Sequence, residues 1–179
     1  TWFMERRIRM LNQRLQDELN KQINKEIFSA YLYMSMGAYF QSTDLTGFAS
    51  WMQMQAQEEL THAQKFYHYI NERGGRVVFD QIEKPQLDWE SPLNAFEDAL
   101  KHEEYITRSI NDLVNIALEE KDHATNIMLQ WFVTEQVEEE ASANEIINKM
   151  KLMKDAPGAI FMLDRELGQR QFNPAPVGE

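Results

Sequence analysis

A glutamate and a histidine three positions apart, Glu59 and His62, interrupt an apolar pattern that has the spacing of a helix. Because residues three apart lie side by side on a helix, both side chains should share the face that enters the core. A buried carboxylate is costly unless it is paired or binds a metal ion. The pair therefore predicts that a positively charged group sits beside it in the core.

Three further apolar patterns carry the same kind of polar interruption. The first contains Glu26 and Tyr33, and the second contains Glu103. The last contains Gln136 and Glu139, which are again three apart. Four such interruptions predict that the polar groups meet in the middle of one core. The apolar positions of the four patterns are Leu15, Leu19, Ile23, Ala30, Met34 and Phe40; Phe48, Met52, Ala56, Ala63, Phe66 and Ile70; Phe96, Leu100, Ile106, Ile110, Leu113 and Ala117; and Met128, Phe132, Ala143, Ile146 and Met150.

Carboxylate and amide oxygens with one imidazole form a ligand set that suits iron or manganese and accepts zinc, while the lack of thiolates disfavours soft metals. Two ions could share carboxylates, and Glu59 is the best candidate for a bridge because its helix also supplies His62. One position would have the histidine and the other only oxygen ligands, so the two ions should differ in affinity. Weak binding at the second position favours a site that releases oxidised iron over one that keeps a permanent cofactor.

Helices must position these groups, and the periodicity predicts four long ones and a short fifth. Ser42, Thr43 or Asp44 is a candidate N-cap for the second helix, and Ser91 before Pro92 predicts the start of the third. The predicted helices cover about 5–41, 45–73, 92–119, the stretch from a break at 121–122 to 154, and 159–169.

The stretch 76–91 has no helical pattern and predicts a long crossover that makes helices two and three parallel. The fold class is therefore all-α, a four-helix bundle with a long crossover between helices two and three and a short fifth C-terminal helix. We expect 1–10 to be an extension of uncertain origin, 11–171 to form the domain and 172–179 to be a C-terminal tail.

Composition excludes several classes of function. The chain has 179 residues with a net charge of −11, which argues against a nucleic-acid-binding surface. It contains no cysteine, so disulfides, thiolate zinc sites and iron–sulfur clusters are excluded, which is compatible with a reducing cytoplasm. No apolar run approaches the roughly 20 residues that span a bilayer, so no membrane partner is expected.

Other acidic and histidine residues are weighed against an ordinary surface role. Glu120 and His123 repeat the Glu-x-x-His spacing, but they stand at a helix start with no apolar frame. His68 and His102 are interpreted as surface residues. By default Glu58, Glu135, Glu138 and Glu140 belong to solvated helix faces.

Motifs along the chain carry a family resemblance. They lie at 22–27 with 29–33, 57–63, 72–77, 101–104 and 131–140, in that order. With these motifs the chain resembles a ferritin of the non-haem prokaryotic type, from about residue 11 to 171. Haem-containing bacterioferritins are less similar, because they carry a second Glu-x-x-His where this chain has Gln136 and Glu139. No haem is therefore expected.

The resemblance implies a ferritin-like di-iron domain that oxidises Fe²⁺ to Fe³⁺ with O₂ or H₂O₂ and stores it as a ferric mineral. It also implies a cytoplasmic homo-oligomer, a shell of 24 subunits, with Ile160, Phe161, Leu163 and Leu167 of the short fifth helix available for contacts between subunits. A cluster at 119–123 would lie at the mouths of the three-fold channels and attract Fe²⁺.

The resemblance also assigns roles to the site residues. Glu26, Glu59, His62 and Glu103 would bind the first iron or bridge, and Glu59, Glu103, Gln136 and Glu139 would serve the second. Glu58, Glu135 and Glu138 match a third, weaker iron site, with Tyr33 close by as a hydrogen-bond partner or electron donor.

Three other functions stay open on sequence alone. A di-iron oxidase or peroxide-scavenging enzyme without storage would keep the bundle and the metals. A DNA-protecting mini-ferritin would lack the fifth helix, carry basic tails and build its site between subunits, whereas this chain has the predicted fifth helix, an acidic balance and a ligand set within one chain. A purely structural shell would have a vestigial metal site, which the intact ligand set makes a weaker hypothesis.

Overall fold

A computed structural model describes residues 11–154, 156 and 158–172. Five helices follow one another, and the described part of the chain contains no β-strand. The predicted extension at 1–10 lies outside the described residues, as does 173–179 of the predicted tail. The helices are α1 (Gln13–Ser42), α2 (Thr46–Glu72), α3 (Pro92–Glu119), α4 (His123–Leu152) and α5 (Ala159–Leu167).

Local capping explains where three of the long helices begin. The Asn12 side chain accepts hydrogen bonds from the first turn of α1, and Ser91 accepts one from the Asn94 amide at the start of α3. Asp122 caps α4 by accepting from the Thr125 amide at 3.0 Å. The chain turns between α3 and α4 at Lys121, whose φ is 55°. The predicted break at 121–122 and the start at Ser91 and Pro92 are therefore confirmed.

The start of α2 differs from the prediction. Leu45 is its N-cap residue and makes no side-chain cap, so the three candidates at 42–44 are wrong. Asp164 of α5 takes their place, because its Oδ1 accepts from the Gly47 amide at 2.8 Å and the Phe48 amide at 3.0 Å. Gly47 is required at this contact, since a Cβ there would lie 1.7 Å from the Asp164 carbonyl oxygen.

The crossover between α2 and α3 is extended and held along α1 by side chains of that helix. Asn20 bonds to both Arg76 and Val78, Asn24 bonds to both Asp80 and Gln81, and the Ser35 hydroxyl donates to the Gln86 carbonyl at 2.6 Å. The crossover therefore runs from the start of α1 towards its end. This path brings α3 back parallel to α2, which confirms the predicted topology.

The apolar core consists of two clusters, one towards each end of the bundle. Phe40, Phe48 and Phe96 lie in one cluster, and Phe66 and Phe132 stack in the other with ring centroids 4.0 Å apart. Of the predicted apolar positions, Met34 is wrong: it is 49% exposed, and Met36 is buried instead. Tyr33 occupies the core-facing position of that turn, so Met34 is rotated about 100° away. Leu100 and Met128 are half-buried.

The short helix α5 packs against α2 and has two faces. Leu163 and Leu167 are buried in the chain's own core, so the expectation that they contact other subunits is wrong. Phe161 and Met162, by contrast, are 64% and 75% exposed. No helix among the described residues is both long and apolar enough to cross a membrane.

Candidate metal centre

The four long helices bring the predicted polar groups together between the two apolar clusters. Each helix contributes from the middle of its buried face, where its polar residue replaces an apolar one. All six of the predicted ligands are buried, and none is more than 7% exposed. They are Glu26 from α1, Glu59 and His62 from α2, Glu103 from α3, and Gln136 and Glu139 from α4.

Two groups of potential ligand atoms share one residue. Atoms of Glu26, Glu59 and His62 all lie within 4.8 Å of one another. The same limit holds for Glu59, Glu103 and Glu139. Glu59 belongs to both groups, which is the arrangement that a carboxylate bridge between two metal ions requires.

Burial shapes the electrostatics of these carboxyl groups. It raises the pKa of Glu26 well above its usual value, and the charge of Glu59 raises it further. Burial and the charge of Glu103 likewise raise the pKa of Glu59 and of Glu139. The pKa of Glu103 is raised by burial. Divalent cations at this point would relieve the repulsion and displace protons.

One carboxylate oxygen of the centre, Glu26 Oε2, is available to bind a cation. Glu26 Oε1 accepts a hydrogen bond from the Gln22 amide at 2.7 Å, but Glu26 Oε2 is buried with no hydrogen-bond partner among the described residues. Such an atom in a native core needs an explanation, for example an ion. Carboxylates with one imidazole are a donor set that iron accepts, so the residues present fit iron.

Two buried glutamines of the centre are not predicted by the apolar patterns. Gln22 and Gln55 are fully buried, each four residues before a predicted ligand glutamate. The Gln55 amide donates to Glu139 Oε2 at 2.5 Å and to Glu59 Oε1 at 3.3 Å. The i, i+4 spacing from a ligand glutamate was the available signal, because residues four apart share a helix face.

A chain of hydrogen bonds fixes the Gln22 amide. Lys25 Nζ donates to the Ser109 hydroxyl at 2.6 Å, and that hydroxyl donates to Gln22 Oε1 at 2.6 Å. The Gln22 amide nitrogen is therefore the end that faces Glu26. Lys25, Ser109 and Gln22 are not predicted ligands, but together they orient the predicted ligand Glu26.

Tyr33 and Gln136 both contact Glu103. The Tyr33 hydroxyl donates to Glu103 Oε1, and burial raises the pKa of Tyr33 well above its usual value, so it remains a donor. Gln136 Nε2 lies 3.2 Å from Glu103 Oε2 and approaches the carboxylate as a donor. Metal binding through the Gln136 carbonyl oxygen stays a prediction.

The three acids of the predicted weaker site are placed differently from one another. Glu135 is half-buried, and its carboxylate joins His62 and Glu139 within 4.8 Å. Glu58 is half-buried and forms an ion pair with Arg170. Glu138 is exposed, so the structure does not gather these three acids into one ligand group among the described residues.

Two histidine interpretations are tested by the structure. His68 is exposed, as expected. His102 is not a surface residue: it is half-buried, lies 2.7 Å from the Ser29 hydroxyl, and burial lowers its pKa to about 4. Its neutral ring is packed between Phe28 and Tyr105, with centroids at 5.8 and 6.0 Å.

The acids near 119–123 are engaged in ion pairs. Glu119 and Glu120 both bind Arg14, and Asp122 binds Arg73 while it caps α4. The second Glu-x-x-His match therefore lies outside the centre, with Glu120 held by Arg14 and His123 exposed.

Comparison with known proteins identifies the family to which this chain belongs. The family model of the ferritin-like domain matches residues 16–153. The chain belongs to the ferritin family. Among its relatives, the bacterial non-heme ferritin of Bacteroides fragilis (strain 638R) is 44% identical over 161 residues, 90% of this chain and all of the relative. That of Staphylococcus aureus (strain MRSA252) is 42% identical over 164 residues, 92% and 99% of the two chains.

Solved structures agree with the sequence relatives. An open pore ferritin from the hyperthermophilic archaeon Archaeoglobus fulgidus superposes with a TM-score of 0.89 at 50% identity, covering 90% of this chain and 98% of the other. A form of that ferritin engineered to be closed gives 0.90 at 50% identity, covering 91% and 99%. The predicted resemblance, the ferritin-like bundle and the use of iron are confirmed. Iron storage with ferroxidase activity is the function of this family, as the sequence predicted.

Proposed function

We propose that this chain oxidises Fe²⁺ at a di-iron centre formed by the six buried residues of the four helices, and that an oligomer of the chain stores the ferric product. The observation that supports this most strongly is the pair of ligand groups that share Glu59. Fe²⁺ is the substrate, and each ion gives one electron to the oxidant, O₂ or H₂O₂. The residues of the centre are Glu26, Glu59, His62, Glu103, Gln136 and Glu139.

The residues of the chain bind the ions and manage protons. Glu59 bridges, and the carboxyl groups lose protons as the cations enter because their pKa values are raised in the metal-free core. Gln22 and Gln55 hold Glu26, Glu59 and Glu139 in place. Tyr33 steadies Glu103 by a hydrogen bond and stands ready as an electron donor.

The two ions are held unequally, since the imidazole of His62 serves only one of them. The oxygen-only position binds more weakly and passes oxidised iron onward. Binding of a third, more weakly held ion would bring Glu58, Glu135 and Glu138 together beside the centre. The approach of Glu135 to His62 and Glu139 supports a route on this side of the bundle.

Storage requires a closed or nearly closed assembly, for which we propose a shell of 24 subunits. Large apolar side chains exposed on the single chain are available for contacts between subunits. The ferritin cages among the structural neighbours support the assembly. Exposed examples are Tyr31, Met34, Phe79, Phe161 and Met162. A cytoplasmic location and the domain limits at 11 and 171 stay predictions.

Paired substitutions test the centre. We expect Glu59→Gln and His62→Ala to slow Fe²⁺ oxidation by at least about 100-fold, since loss even of a group outside the ligand set costs roughly 10–100-fold. Glu104→Gln and His68→Ala make the same changes at exposed residues outside the centre and should keep the wild-type rate. The readout is the initial absorbance change of ferric products after air is added to anaerobic protein with Fe²⁺. Equal rates in both pairs of variants would contradict the assignment.

A further inference from the structure

Arg170 follows α5 near the C-terminal end of the described residues and reaches the side of the metal centre. Its Nη1 donates to Gln55 Oε1 at 2.9 Å, and its Nη2 donates to Glu58 Oε2. The guanidinium carbon lies 4.4 Å from the centroid of the Trp51 ring, a cation–π contact. Three partners on α2 therefore fix this side chain, which is only 23% exposed.

The position of the guanidinium matters because of the acids around it. Glu58 is adjacent in sequence to the bridging Glu59, and Gln55, which Arg170 also holds, donates to both Glu59 and Glu139. Glu135 in turn lies within ligand distance of His62 and Glu139. The Arg170 guanidinium thus neutralises the Glu58 carboxylate. This ion pair lies at the edge of a carboxylate cluster that attracts divalent cations.

A guanidinium on a carboxylate has two consequences for a metal ion. It takes one oxygen of Glu58, and it adds like-charge repulsion to any cation that approaches that carboxylate. Since Arg cannot lose its proton in a protein, the competition does not disappear at neutral pH. The side chain must be displaced before Glu58 contributes both oxygens to a metal.

We propose that Arg170 is a built-in counter-cation that competes with incoming metal for Glu58 and so weakens the weakest metal position of the chain. The inference rests on the proposed function, because it deepens the assignment of Glu58, Glu135 and Glu138 to a third position. Arg170 touches no proposed ligand of the two main positions; it contacts Gln55 and Glu58. Arg170 therefore determines which positions retain metal: it weakens the third position and leaves the two main positions unchanged.

Zinc titration of the assembled, metal-free protein tests this, because Zn²⁺ binds carboxylate and imidazole ligands without redox chemistry. We expect Arg170→Gln to tighten the weakest class of sites by about 5-fold, the upper end for a partly exposed ion pair. The tight classes should stay within about 2-fold. Arg170→Lys should fall between wild type and Arg170→Gln, because the charge remains but the planar fork that bonds both Gln55 and Glu58 is lost. A weak class that becomes measurable only in Arg170→Gln also supports the proposal.

Two controls separate this effect from others. Arg165→Gln removes the same charge from an exposed position of α5 and should change nothing. In a Glu58→Gln background, Arg170→Gln should no longer have an effect, since the competed carboxylate is gone. Thermal unfolding of each variant checks that α5 stays docked.

Three results would overturn the proposal. The first is an Arg170→Gln variant that matches Arg165→Gln. The second is weakened binding at the tight positions, which would mean that Arg170 acts through Gln55 instead. The third is an undiminished effect in the Glu58→Gln background. Failure of the proposed function looks different, because the wild-type protein itself would then lack tight zinc sites at the centre.

Discussion

Individual carboxyl groups of the centre carry a cost in the metal-free protein. Folding raises the pKa of Glu26, and Glu26 Oε2 has no partner among the described residues. The folded state therefore binds more protons than the unfolded chain, and its stability falls as the pH rises through the raised pKa. Below the unfolded-state pKa both states hold the proton, and no loss remains.

Replacing this carboxyl group by an amide should stabilise the metal-free protein. We expect Glu26→Gln to raise the unfolding temperature at neutral pH, because the amide removes the cost of ionising a buried carboxyl group. The gain should shrink as the pH falls and vanish below about pH 4, where the wild-type carboxyl binds a proton in both states. Thermal unfolding of metal-free protein across this range measures it, with Glu104→Gln as the exposed control. A variant less stable than wild type at neutral pH would refute the argument.

Sequence patterns located the ligands at this scale but not their supports. A glutamate inside an apolar stripe is conspicuous, so Glu26, Glu59, Glu103 and Glu139 were found. Gln22 and Gln55 carry no charge, and a neutral amide is common on both the buried and the exposed faces of a helix, so its position does not predict burial. Likewise His102 is held by Ser29 of α1, a contact across 73 positions that no local pattern reveals.

The elements that position the centre are tied together at their ends. The crossover and the starts of α3 and α4 follow from local signals, namely a stretch without periodicity, Ser91 before Pro92, and Asp122. The start of α2 does not, because its cap comes from Asp164, 117 positions away. The same contact docks α5, whose C-terminal side carries Arg170.

The close approach of α2 and α5 should tolerate no side chain at Gly47. A Cβ there would lie 1.7 Å from a backbone oxygen, so we expect Gly47→Ala to destabilise the protein by about 1–3 kcal/mol or to undock α5. Gly37→Ala is the matched control, since its nearest neighbour at 3.5 Å is in ordinary contact. Helix propensity makes that control neutral or slightly stabilising. Denaturant unfolding compares the two, and equal stability would show that α5 does not pack as described.

On the scale of the whole molecule, the single chain is one subunit of an oligomer. The centre lies inside the bundle, while the large exposed apolar residues of α1, α5 and the crossover lie outside it. Amphipathic patterns predicted the inner face of each helix well. They could not separate contacts within the chain from contacts between chains, which is why Leu163 and Leu167 were assigned to the wrong partner.

How much iron each chain oxidises and keeps distinguishes storage from oxidation without storage. Fe²⁺ is added in large excess to the metal-free protein without oxygen, air is admitted, and the ferric product is followed by absorbance and by co-sedimentation with protein. We predict rapid oxidation of far more iron than a di-iron centre holds, which is about two ions per chain. The ferric iron should sediment inside large particles together with the protein. Oxidation that stops at about two ions per chain, or a ferric product that precipitates apart from the protein, would contradict storage.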